Sequence, residues 1–284
     1  MTNNINLSPI LKWVGGKRQL LHEIIPLIPE DVSTYVEPFV GGGAVLFEYQ
    51  PKKAIINDYN EELINVYKVI KESPKELIKF LIKHKENNSK EYFYEIRAID
   101  RQEDYMDRYS NVERAARTIF LNKTCYNGLY RVNSKGQFNT PYGRYKNPNI
   151  VNEPLIYAMS EYFNNNDIKI LNTDYKEALK NLNKNTFVYF DPPYLPISES
   201  SSFTGYTHNG FTLEQQIELK EQCDILHKNG IKFLLSNSDH PIIRELYKDY
   251  KIKTVQASRA INSKANKRGE INEVLVYNYD KSID

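Results

Sequence analysis

The sequence predicts an α/β protein built on an open, mainly parallel sheet with helices on both faces. Three observations carry that prediction. Short apolar β-type runs recur along the chain, segments of helical spacing separate most of them, and the first run enters a glycine turn. In order, TYVEPFV (34–40) reads as a strand that feeds Gly41-Gly42-Gly43, and AVLFEYQ after it starts a helix. KAIIND (53–58) is a second apolar run that ends in an acid. NEELINVYKVIKES (60–73) has helical spacing, and Pro74 opens another helix through about Lys85. The stretch 87–152 is polar, rich in Tyr, Arg and Asn, and carries the turn signals Asn127-Gly128 and Lys135-Gly136. It reads as an insertion, with a helix near 112–123 and then a hairpin-like segment. IKILNTD (168–174) and TFVYFD (186–191) read as buried strands, 212–229 as a strong helix stopped at Gly230, and IKFLLSNS (231–238) as a strand. KIKTVQA and EVLVYNY, joined by a basic loop, read as a final antiparallel pair.

The 284 residues suit one large domain, or a domain with a sizeable insertion. With 40% hydrophobic and 12% aromatic residues and a formal charge of +2, the chain has the composition to fold around a full core. No apolar run approaches the ~20 residues of a membrane span, and MTNNINLSP lacks the features of a secretory signal. Cys125 and Cys223 stand far apart, and the five histidines show no metal spacing, so neither a disulfide framework nor a metal site is indicated. A soluble cytoplasmic protein is expected.

The small net charge hides an uneven distribution. No acid lies between Glu113 and Glu153, a stretch with Arg114, Arg117, Lys123, Arg131, Lys135, Arg144 and Lys146. None lies between Asp249 and Glu270, which holds Lys251, Lys253, Arg259, Lys264, Lys267 and Arg268. The rest of the chain, with 25 bases and 36 acids, is net −11. The first block is interleaved with Phe120, Tyr126, Tyr130, Phe138, Tyr142 and Tyr145. Bases and rings together suit phosphate contact and stacking on nucleobases, although half of the rings can equally be core.

The order strand, glycine turn, helix, strand, acid suits a nucleotide-type ligand. Glycines allow close backbone approach, the helix start offers N–H groups, and the acid, here Asp58, meets ribose hydroxyls. Dinucleotide enzymes and methyltransferases share this cradle. Glu37-Pro38-Phe39 before the turn, and the lack of the later glycine of G-x-G-x-x-G, favour S-adenosylmethionine over NAD. Trp13-Val14-Gly15-Gly16-Lys17 is not a P-loop, since the upstream glycine and the following Ser/Thr are missing.

Asp191-Pro192-Pro193-Tyr194 ends a strand that is apolar on both faces. An exocyclic amino group has two N–H donors; the Asp191 carboxylate can accept one and the Pro192 carbonyl the other. The prolines stiffen the turn and carry no N–H. Tyr194 offers a flat face to an extruded base. Cytosine C5 methylation would need a cysteine nucleophile, and neither cysteine stands in a suggestive loop. Several residues keep a second reading. Trp13 can be a core anchor, Asp58 a helix cap, Asp174 a turn residue, and Arg131 a nonspecific phosphate contact. The Ser198–Ser202 run reads as a loop that can close over the site.

These motifs, in this order, resemble the Dam-type DNA adenine-N6 methyltransferases over nearly the whole chain. The resemblance rests on 12–17, 37–43, Asn57-Asp58, Tyr126 to Arg131 with Gly136 to Asn139 and Pro141 to Gly143, Asp174-Tyr175, and Asp191 to Tyr194. It implies a Rossmann-like seven-stranded methyltransferase sheet, catalytic over 1–73 and 153–284, with a mainly helical DNA-recognition insertion at 74–152. It implies methylation of adenine N6 in GATC with S-adenosylmethionine and without metal. It places Asp191, Pro192, Pro193 and Tyr194 in catalysis. It places Trp13, Lys17, Phe39, Gly41, Gly43, Asp58, Asp174, Tyr175 and Asp191 at the cofactor. Lys12, Tyr126, Asn127, Leu129, Arg131, Asn133, Pro141 and Arg144, with the loop bases Lys264, Lys267 and Arg268, are expected at the DNA. The partner is double-stranded DNA, with a restriction endonuclease encoded nearby and no direct contact implied, and a monomer or weak dimer suffices. The competing readings are a non-catalytic DNA-binding module on the same fold, or methylation of RNA adenine or protein glutamine.

Overall fold

β4 (Thr186–Phe190) shows how the residues build the sheet. Its five residues TFVYF are all buried. Phe187 and Tyr189 pack into one hydrophobic cluster, Val188 and Phe190 into another, so alternate side chains serve opposite faces. The computed structural model describes residues 7–194, 211–258 and 270–280. Along them run α1 (Leu21–Ile24), β1 (Thr34–Glu37), α2 (Ala44–Tyr49), β2 (Lys53–Asn57), α3 (Glu61–Glu72), α4 (Pro74–Glu86), α5 (Lys90–Ala98), α6 (Tyr105–Arg108) and α7 (Asn111–Thr124). After them come α8 (Glu153–Asn165), β3 (Asp167–Leu171), α9 (Tyr175–Ala178), β4, α10 (Leu213–Lys228), β5 (Lys232–Ser238), α11 (Pro241–Leu246), β6 (Lys251–Ser258) and β7 (Glu270–Tyr277).

The seven strands form one sheet in the order β3-β2-β1-β4-β5-β7-β6. β1 to β5 pair in parallel, and β7 lies antiparallel between β5 and β6. This is the seven-stranded α/β sheet that the family resemblance implies. The strands are shorter than their apolar runs. β1 stops at Glu37, where Pro38 cannot donate to the ladder. β3 stops at Leu171, and Asp174 caps α9 by accepting from the Lys176 N–H at 2.9 Å. α8 escapes the strand-by-strand reading, yet Leu155, Ile156, Met159, Tyr162 and Phe163 give it a buried helical stripe. α5 and α6 also lie in what the sequence marks only as polar.

The 74–152 stretch shares the core of the sheet. Leu77, Leu81, Phe93, Ile119 and Phe120 join Tyr35, Leu63, Ile70 and Phe163 in one hydrophobic cluster. Folding takes several bases out of the two stripes. Arg114 and Arg117, counted in the basic stripe, are each only 5% exposed. Arg114 donates to Glu62 at 2.6 Å and Glu61 at 2.9 Å. Arg117 pairs with Asp100 at 2.8 Å and donates to the Ile96 carbonyl at 2.9 Å. Their acids come from other helices. Lys251 and Lys253, in the second block, likewise pair with Asp280 and Glu23. Arg131, Lys135, Arg144 and Lys146 are exposed, as are the rings of Tyr126 and Tyr145, whereas Phe120, Tyr130 and Phe138 are core. Lys264, Lys267, Arg268 and the Ser198–Ser202 run lie outside the described residues. Among the described residues no helix is long and apolar enough to cross a membrane.

Candidate active site

The carboxyl ends of β1 and β4 lie side by side, where the sheet order reverses, and an open α/β sheet places its ligand crevice there. The turn after β1 is held from below. Asn57 donates to the carbonyls of Pro38 at 3.0 Å and Thr173 at 3.1 Å, and accepts from the Thr173 N–H at 3.0 Å. One buried amide thus ties the exits of three strands. Tyr67 donates its hydroxyl to the Gly41 carbonyl at 2.7 Å. Gly43 has φ +72°, and a Cβ there would stand 2.8 Å from the Phe47 ring, so only glycine fits. Below the turn, Glu37 accepts from the Tyr35 hydroxyl at 2.8 Å, and burial pushes its carboxyl well above the usual range.

Asp58 accepts from the Gly41 N–H at 3.0 Å and the Asn60 N–H at 2.9 Å. Asn60, not Asp58, caps α3 by accepting from the Leu63 N–H. Each Asp58 oxygen has a second lone pair for a ligand hydroxyl. Burial raises this carboxyl to about 6. Phe39 lies next to Tyr175 (5.0 Å between centroids) and Phe211 (5.8 Å), an aromatic wall beside the turn. The exposed Asp174 stands at the head of α9.

At the exit of β4, Asp191 pairs with Lys17 at 2.9 Å. Lys17 is 5% exposed and also donates to the Gly15 carbonyl at 2.6 Å. Burial raises Asp191 to about 6, with Lys17 pulling down and Glu273 pushing up. The tight turn is braced from behind. Gln216, fully buried, donates to the Pro193 carbonyl at 3.0 Å and accepts from Asn237 at 3.1 Å. Tyr194 donates its hydroxyl to Glu273 at 2.7 Å, and the Lys17 ammonium lies 4.7 Å from the centre of its ring. Glu273, Gln216 and Asn237 were missed from sequence. The only signal was an acid at the mouth of an apolar strand, EVLVY, right after a basic loop.

The amino-terminal segment and the 126–131 turn meet. Asn122, buried at the end of α7, accepts from the Lys12 N–H at 2.9 Å and donates to the carbonyls of Lys12 at 2.9 Å and Gly128 at 3.1 Å. Gly128 has φ +64°, and a Cβ would come 2.7 Å from the Lys12 side chain. Trp13 stacks on Tyr130 (4.8 Å between centroids) and packs over Gly41, beside the glycine turn. Around this junction Lys12, Tyr126, Arg131, Pro141 and Arg144 are exposed, and Asn127 and Leu129 half-buried. Arg131 donates to the Asn139 carbonyl at 3.0 Å. Asn133 is engaged in its own turn, where it accepts from the Lys135 and Gln137 N–H groups.

The chain matches the family described as D12 class N6 adenine-specific DNA methyltransferase over residues 13–261. It belongs to that family. It is 51% identical to the type II methyltransferase M1.LlaDCHI of Lactococcus lactis subsp. cremoris, over 98% of this chain and 97% of the relative. It is 43% identical to the type II methyltransferase M.MjaIII of Methanocaldococcus jannaschii, over 97% and 100%. It is 35% identical to the DNA adenine methylase of Escherichia coli K12, over 93% of each. For an adenine-specific D12-class methyltransferase, the acid, diproline turn and tyrosine at the β4 exit form a cluster suited to grip an amino group and a flat ring.

Proposed function

We propose that this D12-class enzyme methylates adenine N6 in GATC with S-adenosylmethionine, acting on a base turned out of the duplex. The observation that carries the reading is the convergence of the Asp191–Tyr194 turn with the glycine turn at the sheet's switch point. The donor set fits the cofactor: Asp58 for a ribose diol, the Phe39–Tyr175 wall for a purine, Asp174 for its amino group, and Trp13 over Gly41. Gly41 and Gly43 would leave room at the turn, and Lys17 with Asp191 would hold the cofactor's charged end. When bound, S-adenosylmethionine supplies a methyl group activated on sulfur.

The chain's own residues hold the adenine. Asp191 accepts one N6–H and the Pro192 carbonyl the other, which turns the nitrogen lone pair toward the methyl donor. Tyr194 stacks on the ring, and Pro193, fixed by Gln216, keeps the turn from yielding. Residues 74–152 form the target-recognition part, set between the catalytic segments 1–73 and 153–284. Lys12 and Arg131 read base edges in the major groove, with Lys264, Lys267 and Arg268 on phosphate. Tyr126, Asn127 and Leu129 fill the space left by the opened pair, and Pro141 and Arg144 flank them. Asn133 shapes the turn that carries Arg131. The type II names of the two nearer relatives support a restriction–modification role. A cytoplasmic monomer is sufficient for it.

The test uses labelled S-adenosylmethionine and duplexes with or without GATC. Incorporation into N6-methyladenine only with GATC is expected; incorporation independent of GATC, or none, overturns the reading. A pH series adds a second check. Asp191 must be ionised to be the charged acceptor of the N6–H hydrogen bond, and its carboxyl is raised to about 6. The single-turnover rate is therefore expected to be flat above that pH and to fall about tenfold per unit below it. A flat rate down to pH 5 would remove Asp191 from that role.

A further inference from the structure

We infer that Glu273, on the antiparallel strand β7, is the positioning residue that orients Tyr194 for the target base. The inference rests on the proposed base-binding role of the Asp191–Tyr194 turn. Three parts of the chain converge here. Lys17 comes from the amino-terminal segment, Asp191 and Tyr194 from the β4 exit, and Glu273 from β7, where it pairs with Ser238 at the end of β5. That register brings a β7 side chain to the carboxyl edge of the parallel strands.

Tyr194 has two rotational freedoms, and an aromatic platform works only if its plane is set before the base arrives. The contact that sets it is the 2.7 Å hydrogen bond from the Tyr194 hydroxyl to Glu273. Burial and the neighbouring carboxylates push the phenol well above its ordinary range, so it stays a donor. The same carboxylate oxygen lies 3.9 Å from the Lys17 ammonium, which is itself 2.9 Å from Asp191. Two acids therefore share one buried lysine, and Glu273 draws Lys17 over the tyrosine ring. The charged and titratable groups facing Asp191 are Lys17, Glu37 below the β1 exit, Tyr189 and Tyr194 on its own segment, and Glu273. Of these, Glu273 is the one that both touches the platform and raises Asp191.

The experiment compares the full-length wild-type chain with Glu273→Ala, Glu273→Gln, Tyr194→Phe and the Glu273→Ala/Tyr194→Phe pair. Methyl transfer to duplex DNA is followed from pH 5 to 8.5. Glu273→Ala is expected to lower kcat on the order of 10- to 100-fold, as a misaligned platform does, with KM for duplex unchanged. Glu273→Gln keeps an acceptor for the hydroxyl and should restore most of that loss. Having lost a negative charge beside Asp191, it should also move the acid limb of the rate profile to lower pH. The double variant should be no slower than the slower single one, because both substitutions break the same contact. A Glu273→Ala enzyme with wild-type kcat, a Gln variant as slow as Ala with an unmoved acid limb, or additive losses in the double variant would each overturn the inference. If instead the wild type transfers no methyl group to adenine, the proposed function fails, and Glu273 is not the cause.

Discussion

Replacing Asp191 with alanine should reduce methyl transfer by at least 10²- to 10³-fold while duplex affinity stays within a few fold. The loss follows from chemistry at one atom. In the proposed mechanism the carboxylate is the charged acceptor for the amino group, and a preorganised polar group aimed at the reacting centre typically carries an effect of that size. Affinity is expected to be spared because the proposed DNA contacts are the exposed bases Lys12, Arg131 and Arg144, and Asp191 is not among them. The fold is spared because Lys17 retains the Gly15 carbonyl and Glu273 as partners. Asp191→Asn is the sharper variant, since it keeps shape and removes charge. Single-turnover incorporation beside a fluorescence-anisotropy titration separates the two quantities. Turnover within tenfold of wild type in either variant would overturn the acceptor role.

Arg117→Leu should cost about 1.5–3 kcal/mol of stability, the usual size of a hydrogen bond to a charged group, because Asp100 keeps Arg101 as a second partner. Asp100 would keep Arg101 but lose its buried partner, and the Ile96 and Arg97 carbonyls would each lose one of their donors. Asp100 also accepts from the Phe138 N–H at 2.7 Å, so the damage reaches the hairpin that follows α7. A denaturant titration at neutral pH checks the magnitude, and a loss below 1 kcal/mol would overturn it. Arg131→Leu in the same basic block is the control. Its side chain is exposed, so stability should hold while DNA affinity falls.

That contrast shows where sequence was a good guide and where it was not. β4 was legible because five consecutive apolar residues followed by Asp-Pro-Pro-Tyr admit few other readings. The glycine turn was legible because Gly41 to Gly43 lie between two apolar runs. The roles of Arg114 and Arg117 were not, because a window along the chain cannot see Glu61, Glu62 or Asp100 approaching from other helices. Three of the six rings of that block proved to be core for the same reason: Phe120, Tyr130 and Phe138 lie under elements from other parts of the sequence. Glu273 was hard to read because its one local mark, an acid ahead of an apolar run, does not say what it meets. Its meaning comes only from the register Ser238↔Glu273. Asn122 likewise gains its role only when Lys12 and Gly128 arrive on either side.

The corner where Lys17, Asp191, Tyr194 and Glu273 meet also bears on how the molecule comes into being during synthesis. Its parts lie at positions 17, 191, 194 and 273 of the sequence, and the strand that delivers the last of them must slot between two others. Contacts so distant along the chain form late, after long loops have closed. A nascent chain halted before β7 has the glycine turn and the Asp-Pro-Pro-Tyr turn, but not the carboxylate that holds the tyrosine. The ribosome therefore delivers every other part of this corner before the one that completes it.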